Sequence, residues 1–285
     1  MTTIGKTRRP VVREVRGVVH ALAAGEFGHH REAPPPALAD WVEHFWRVRW
    51  NLEGLPPRVQ ETLPHPNVHI VVERGSVRAF GVHTGRWTRV LKGRSSAFGI
   101  KFRPGAFRPF LRGAVSGLMD ASLPIEALFG SQARELNDVV DCGADTSGDV
   151  RAVELASRFL LARLPAVDPS ALLAGRIVDS IVDDGELHSA GALAERFEMS
   201  LRALQRLFSD YVGIGPKWVI NRYRMHEALA RVQAGLPVSW AALAQELGYF
   251  DQAHFITDFR RLVGETPADY AREWGTARSS AGAPA

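Results

Sequence analysis

The chain carries a single cysteine, Cys142, in 285 residues. One thiol excludes an internal disulfide framework and any zinc site built on several cysteines. No run reaches the roughly 18 apolar residues needed to span a bilayer. A basic surplus is also missing where it would be most informative. Residues 171–285 hold 12 lysines and arginines against 14 aspartates and glutamates, although the whole chain has a net charge of +4. If this half binds nucleic acid, its cations must be sorted onto one face, because bulk charge does not supply the attraction. In the first half of the chain no Ser/His/Asp order, phosphate-binding glycine loop or pair of catalytic carboxylates can be assembled with any specificity. The early arginines of "MTTIGKTRRPVVREVRG" read as part of a poorly ordered tail over residues 1–30, not as an export signal. A reducing cytoplasm is the expected location.

What is present is an ordinary globular composition, 46% hydrophobic and 23% charged, with length enough for two cores. From about Ala33 to Pro104 the pattern is β. Trp46, Val48 and Trp50 alternate with Arg47 and Arg49, the period of a half-buried strand. Further strands are predicted at 68–73, 77–82, 86–91 and 98–102, separated by turns rich in glycine and proline. The expected fold class is α+β, with a small antiparallel barrel or sandwich over 31–165 and helices at 105–113, 124–141 and 149–164. "PAVDP" (165–169) marks the boundary to an all-α, seven-helix domain over 166–277, followed by a short disordered tail at 278–285. Asp168 caps the first helix of that domain and Pro169 occupies its first turn. The remaining helices are predicted at 189–198, 200–211, 216–234, 239–247, 251–263 and 267–274.

Within this half one unit is written twice. "ALAERFEMSLRALQRLFSDYVG" (192–213) aligns with "ALAQELGYFDQAHFITDFRRLVG" (242–264), with one extra residue in the turn of the second copy. Matched positions are apolar or turn-forming and the others differ freely, as in two packing units with different outward faces. Each copy is a short helix, a turn and a second helix, the pattern of a helix-turn-helix whose second helix is the recognition element. Opposite the buried stripe the first copy presents Arg202, Gln205 and Arg206, and the second Gln252, His254, Thr257 and Asp258, with Arg260 and Arg261 at its end. Arginine and glutamine match the donor and acceptor edges of guanine and adenine. Taken alone, two exposed arginines are as readily a solvated face. The helix between the copies, about 28 Å long at 1.5 Å per residue, tips the balance: it approaches the roughly 34–36 Å that separate successive major grooves on one side of B-DNA.

"MSLRALQRLF", "NRYRMHEALARV" and "VSWAALAQELGYFDQAHFITDFRRLVGETPADYAR" together resemble the DNA-binding domain of the AraC/XylS transcription regulators, over about 171–274. Two positions depart from the family's pattern. Tyr249-Phe250 stands where Gly-Phe and a small or polar residue are usual, and Ala271 separates Tyr270 from Arg272. The resemblance implies double-stranded DNA read by both second helices, with Ser200, Arg202, Gln205, Arg206, Gln252, His254, Thr257 and Arg260 as contact residues. It also implies transcription control through RNA polymerase. Regulators of this kind carry a sensing or dimerising domain in front, which implies a small-molecule effector and a homodimer as partners. Residues 31–164 resemble an uncharacterised domain attached to such regulators, through "PPPALADWVEHFWRV", "LPHPNVHIVVE" and "FGIKFRPGAFRPFL".

Trp41, Phe45, Trp46 and Trp50 are candidates to line an apolar effector pocket, with Arg103 available to an anionic group; the plainer reading makes the aromatics core residues and Arg103 a surface or salt-bridged side chain. His65, His69 and His83 supply three nitrogen donors, but the prolines at 64 and 66 and the lack of a nearby carboxylate argue against a metal site. No metal and no cofactor are expected. Two other classes fit the sequence less well. A DNA-repair methyltransferase needs a nucleophilic cysteine and a zinc cluster that Cys142 alone does not provide. An enzyme with an AraC-like DNA-binding appendage lacks an identifiable catalytic set.

Overall fold

The computed structural model describes residues 27–143, 145–185, 187–235 and 239–281, side chains from 276 onward excepted. Its N-terminal half contains the strands β1 (Phe27–Glu32), β2 (Val42–Leu52), β3 (Arg58–Thr62), β4 (His69–Glu73), β5 (Ser76–Phe80), β6 (Trp87–Leu91), β7 (Gly93–Phe102) and β8 (Ser122–Pro124). Six of them form an antiparallel sheet in the order β1-β2-β7-β4-β5-β8, and β3 pairs with β6 in a second, two-stranded sheet. The architecture is an open sandwich and not a closed barrel. β1 begins inside the stretch expected to be a tail; the rest of that stretch, 1–26, lies outside the described residues.

The period-two pattern of β2 is present, but both faces of the strand are covered. Phe45 packs with Phe98, Ile100 and Ile70 on the face that carries α1 (Glu126–Phe129), the 3-10 segment Gly130–Val139 and α2 (Thr146–Leu161). Arg47, expected on a solvated side, is only 3% exposed. Its guanidinium donates to the carbonyls of Cys142 (2.8 Å), Val140 and Gly148 (both 3.3 Å) and reaches Asp149 at 3.5 Å. Arg49 binds the same carboxylate at 2.5 Å. A charge is tolerated there because carbonyls and a carboxylate replace its water. The helices expected at 105–113 and 124–141 are mostly turns and 3-10 structure. Gly105 and Gly130 take φ of +87° and +59°, which end regular α-helix.

The C-terminal half follows the expected order closely: α3 (Pro169–Asp183), α4 (Ala190–Arg196), α5 (Leu201–Leu207), α6 (Pro216–Gln233), α7 (Trp240–Glu246), α8 (Gln252–Val263) and α9 (Pro267–Ala281). Asp168 caps α3 by accepting from the Ser170 amide at 2.8 Å. α5 runs into a π-helical turn, Phe208–Val212, closed by Gly213 in the left-handed region. α9 continues past 274 through the first residues of the expected tail to Ala281; 282–285 lie outside the described residues.

Two cores meet on α6. Its first half gives Val219 and Ile220 to a core with Ile177, Leu193, Leu204 and Phe208. Its second half gives Met225, Ala228, Leu229 and Val232 to a core with Leu243, Phe255, Phe259 and Tyr270. With 18 residues the helix is about 27 Å long. Ala228→Pro removes a helical hydrogen bond and clashes with the preceding turn, so it is expected to cost about 3 kcal/mol or more. Thermal unfolding followed by circular dichroism checks this; an unchanged Tm would contradict a continuous α6.

Candidate nucleic-acid interface and ligand cavity

The two repeats are the same local structure. Ser189 and Ser239 cap α4 and α7, accepting from the amides of Ala192 (3.1 Å) and Ala242 (3.4 Å). Each first helix ends at a residue in the left-handed region, Glu198 (φ +52°) and Gly248 (φ +69°), a common helix terminator. The next amide then folds back onto the helix, Met199 to the Ala194 carbonyl and Tyr249 to the Ala244 carbonyl, both at 2.9 Å. From there the copies differ. Ser200 follows Met199 directly and caps α5, its hydroxyl accepting from the Ala203 amide at 3.2 Å. In the second copy Phe250 intervenes before Asp251 caps α8, accepting from the His254 amide at 2.7 Å. The extra residue in the turn is therefore Phe250.

Leu204 and Phe208, and Phe255 and Phe259, are fully buried, which turns the opposite faces of α5 and α8 outward. Arg202, Gln205 and Arg206 are exposed together on α5. Among the described residues no ion pair engages Arg202 or Arg206, whereas Arg196 is held by Asp184 and Arg231 by Glu227 and Glu246. The sorting of cations that the charge count demands is thus visible on α5. On α8, Gln252, His254, Thr257 and Arg260 are exposed. The Thr257 hydroxyl is turned back onto the Ala253 carbonyl (2.8 Å), and Asp258 is engaged by Arg261 (3.1 Å). The outward polar face of α8 is the poorer of the two.

The other feature is a cavity of about 230 Å³ between the two sheets of the N-terminal half. Trp46, Val48 and Trp50 of β2 line it from one side, and Trp87 and Leu91 of β6 from the other. The Trp46 ring lies flat on Gly99, where a Cβ would stand 1.9 Å from it, and its indole N–H donates to His69 Nδ1 at 3.1 Å. One end is polar. Lys101, paired with Glu43 at 2.9 Å, sits beside His44 and His69 in the strand register. Of the five effector candidates Trp46 and Trp50 reach this cavity. Phe45 points to the opposite face of the sheet. Trp41 and Arg103 instead border a second, more polar cleft against α3, with Arg103 3.9 Å from Asp179.

The cavity adjoins α6. His65, in its wall, stacks on His226 of α6 with ring centroids 3.8 Å apart and planes 6° from parallel. Leu63, next to it, belongs to the core of the second repeat. From the loop whose Gly81 and His83 line the cavity, the Thr84 carbonyl accepts from Arg222 of α6 (2.6 Å) and Arg86 donates to the carbonyl of Val263, the last residue of α8 (2.8 Å). His65, His69 and His83, considered as metal ligands, are used otherwise: His83 lies 3.4 Å from Asp120. Among the described residues no cluster of three potential ligands forms. Cys142 is buried and burial raises its thiol above the usual range, the opposite of what a nucleophilic cysteine requires.

Comparison with known proteins agrees with this geometry. Residues 193–273 match the family described as Helix-turn-helix domain, and residues 30–124 match a Domain of unknown function (DUF6597). The transcriptional activator RhaS of Pectobacterium carotovorum is 36% identical over 77 residues, 27% of each chain. RhaS of Escherichia coli is 35% identical over 78 residues, 27% of this chain and 28% of that one. The chain thus aligns with little more than a quarter of these curated relatives. ToxT of Vibrio cholerae resembles it with a TM-score of 0.39 at 11% identity, over 87% of this chain and 97% of that one, a likeness too low to transfer any feature. The C-terminal part of the chain is an AraC-type helix-turn-helix domain, joined to an N-terminal domain of a family without an assigned function. Among the described residues no helix is long and apolar enough to cross a membrane.

Sequence reading missed Phe250 as a surface residue, although its place in the lengthened turn was the available signal. It missed the His65–His226 stack altogether, since nothing in the sequence joins residues so far apart. The stack has a measurable consequence. Burial, reinforced by nearby cations, lowers His44 and His69 to about 3 and holds His65 and His226 well below 6.5. In the unfolded chain these groups take up protons near 6.5. The stability they contribute is therefore complete above about pH 7 and is lost progressively as pH falls through 6.5 toward 3. Tm is expected to fall between pH 7 and 5, before most carboxylates titrate, and His226→Phe, which stacks without titrating, is expected to flatten that slope. A Tm constant over this range would contradict neutral, buried histidines.

Proposed function

We propose that the protein is a sequence-specific, DNA-binding transcription regulator that sets α5 and α8 into successive major grooves and is controlled by a small effector. The observation that carries this reading is the pair of like-built, separately capped helix-turn-helix units on one shared helix, with Arg202, Gln205 and Arg206 exposed and the two arginines free of ion pairs among the described residues. Arginine forks and glutamine amides in that position match guanine and adenine edges. Ser200, Gln252, His254, Thr257 and Arg260 complete the contact surface, Ser200 by lending the proton its capping role leaves unused. RNA polymerase is the partner this activity requires, and self-association falls to the N-terminal half.

The cavity between the sheets is the effector site in this reading. A 150 Å³ apolar cavity holds a benzene ring, so about 230 Å³ admits a compact ring-bearing ligand. Its wall touches α6 through His65, and the loop that supplies Gly81 and His83 to the wall reaches the end of α8 through Arg86. A ligand that moves the wall or that loop changes what holds the two units in place.

The test is selection of binding sites by the full-length protein from random duplex DNA, followed by footprinting. Arg206→Ala is expected to weaken binding to the selected site by about 1–3 kcal/mol and to relax base preference at one position, with Tm unchanged because the side chain touches no core. Affinity should also fall steeply with salt. A variant that melts early yet keeps its specificity makes Arg206 structural, and no enriched sequence at all contradicts the regulator reading.

A further inference from the structure

Phe250 is 94% exposed, an unfavourable position for a phenyl ring unless it meets something apolar. Its location makes the exposure more pointed. A residue just before a helix cap commonly turns inward to pack on the fourth residue of the helix. Here that fourth residue is Phe255, and Tyr249 already packs against it with ring centroids 5.4 Å apart. The staple is made, Phe250 is left out of it, and none of the apolar cores includes the ring. The turn gains nothing structural from the insertion either. The first repeat goes from its folded-back amide straight to its cap and forms the same helix pair without such a residue.

The inserted ring stands at the N-terminus of α8, beside Gln252 and His254. In helix-turn-helix proteins this is the end of the recognition helix that meets the base edges. α8 is also short of polar readers, with the Thr257 hydroxyl and the Asp258 carboxylate both occupied within the helix. The major groove offers one apolar feature, the thymine 5-methyl group, and phenylalanine is among the side chains that contact it.

Resting on the regulator reading, we infer that Phe250 is a specificity-determining residue: it packs on a thymine methyl group in the half-site read by α8. The second unit thus reads part of its sequence by apolar contact, where the first reads through arginine and glutamine.

The experiment uses the full-length protein and the duplex it selects from a random library. Each thymine in the α8 half-site is replaced in turn by deoxyuridine, which removes only the methyl group. Wild-type affinity is expected to fall about three- to tenfold at one position. Phe250→Ser is expected to lose a similar factor on the thymine duplex and to be indifferent to uracil at that position, with the same Tm as wild type. If Phe250→Ser keeps wild-type affinity and every thymine-to-uracil ratio, the inference is overturned. The same holds if it binds DNA unchanged but no longer supports transcription, since Phe250 then faces a protein partner. Failure of the library to yield any enriched duplex is the separate result that removes the regulator reading, and this inference with it.

Discussion

One helix belongs to two cores, and the C-terminal architecture depends on that sharing. α6 places Val219 and Ile220 under α4 and α5, then Met225, Ala228, Leu229 and Val232 under α7 and α8. Neither repeat could bury its apolar stripe without it: the first helix of each, α4 or α7, has 7 residues and falls well short of the roughly 12–15 at which isolated helices become even marginal. Each buried leucine or phenylalanine is worth about 1.5–3 kcal/mol. The relative position of the outward faces of α5 and α8 is therefore set by packing on a rigid rod and not by a linker.

The N-terminal domain bears on the same rod. Leu63 enters the core of the second repeat and His65 stacks on His226, while Arg86 satisfies a carbonyl at the end of α8 that the helix itself leaves open. These contacts come from loops that also wall the cavity. Beside the buried Leu63 and Val82, which enter the cores of the second and first repeats, the contacts are two stacked rings and single hydrogen bonds, each bond worth about 1 kcal/mol. The firmer attachments of the N-terminal domain are internal, as where Arg47 ties its sheet to the carbonyls ahead of α2.

Much of the C-terminal domain was legible because helix periodicity, caps and terminators are local. The apolar spacing of Leu204/Phe208 and Phe255/Phe259, the cap at Asp168 and the glycines at 213, 248 and 264 carry their structural meaning within a few residues. The N-terminal half was less so. β1 overlaps the stretch that reads as a tail, and β3 lies between prolines that obscure a strand of 5 residues. Alternation along β2 located the strand, but it could not tell that both faces are covered, because the partner of Arg47 is a set of backbone carbonyls about a hundred residues away. The exposed positions of α5 and α8 followed from the buried stripe. The composition of the cavity did not, since it joins strands in an order that pairing alone decides: Trp46 reached it and Phe45, one residue earlier, faces the other way.

Contact with two successive grooves requires α6 to hold α5 and α8 at a fixed separation. The direct measurement is the affinity of the full-length protein for its selected duplex when the two half-sites are moved apart by five base pairs, half a turn of B-DNA. With a rigid α6 the second half-site then faces away, so protection of that half-site should disappear and affinity should fall to that of a single half-site. Equal affinity and full protection at both spacings would mean that the two units are flexibly joined, which contradicts the shared-helix account.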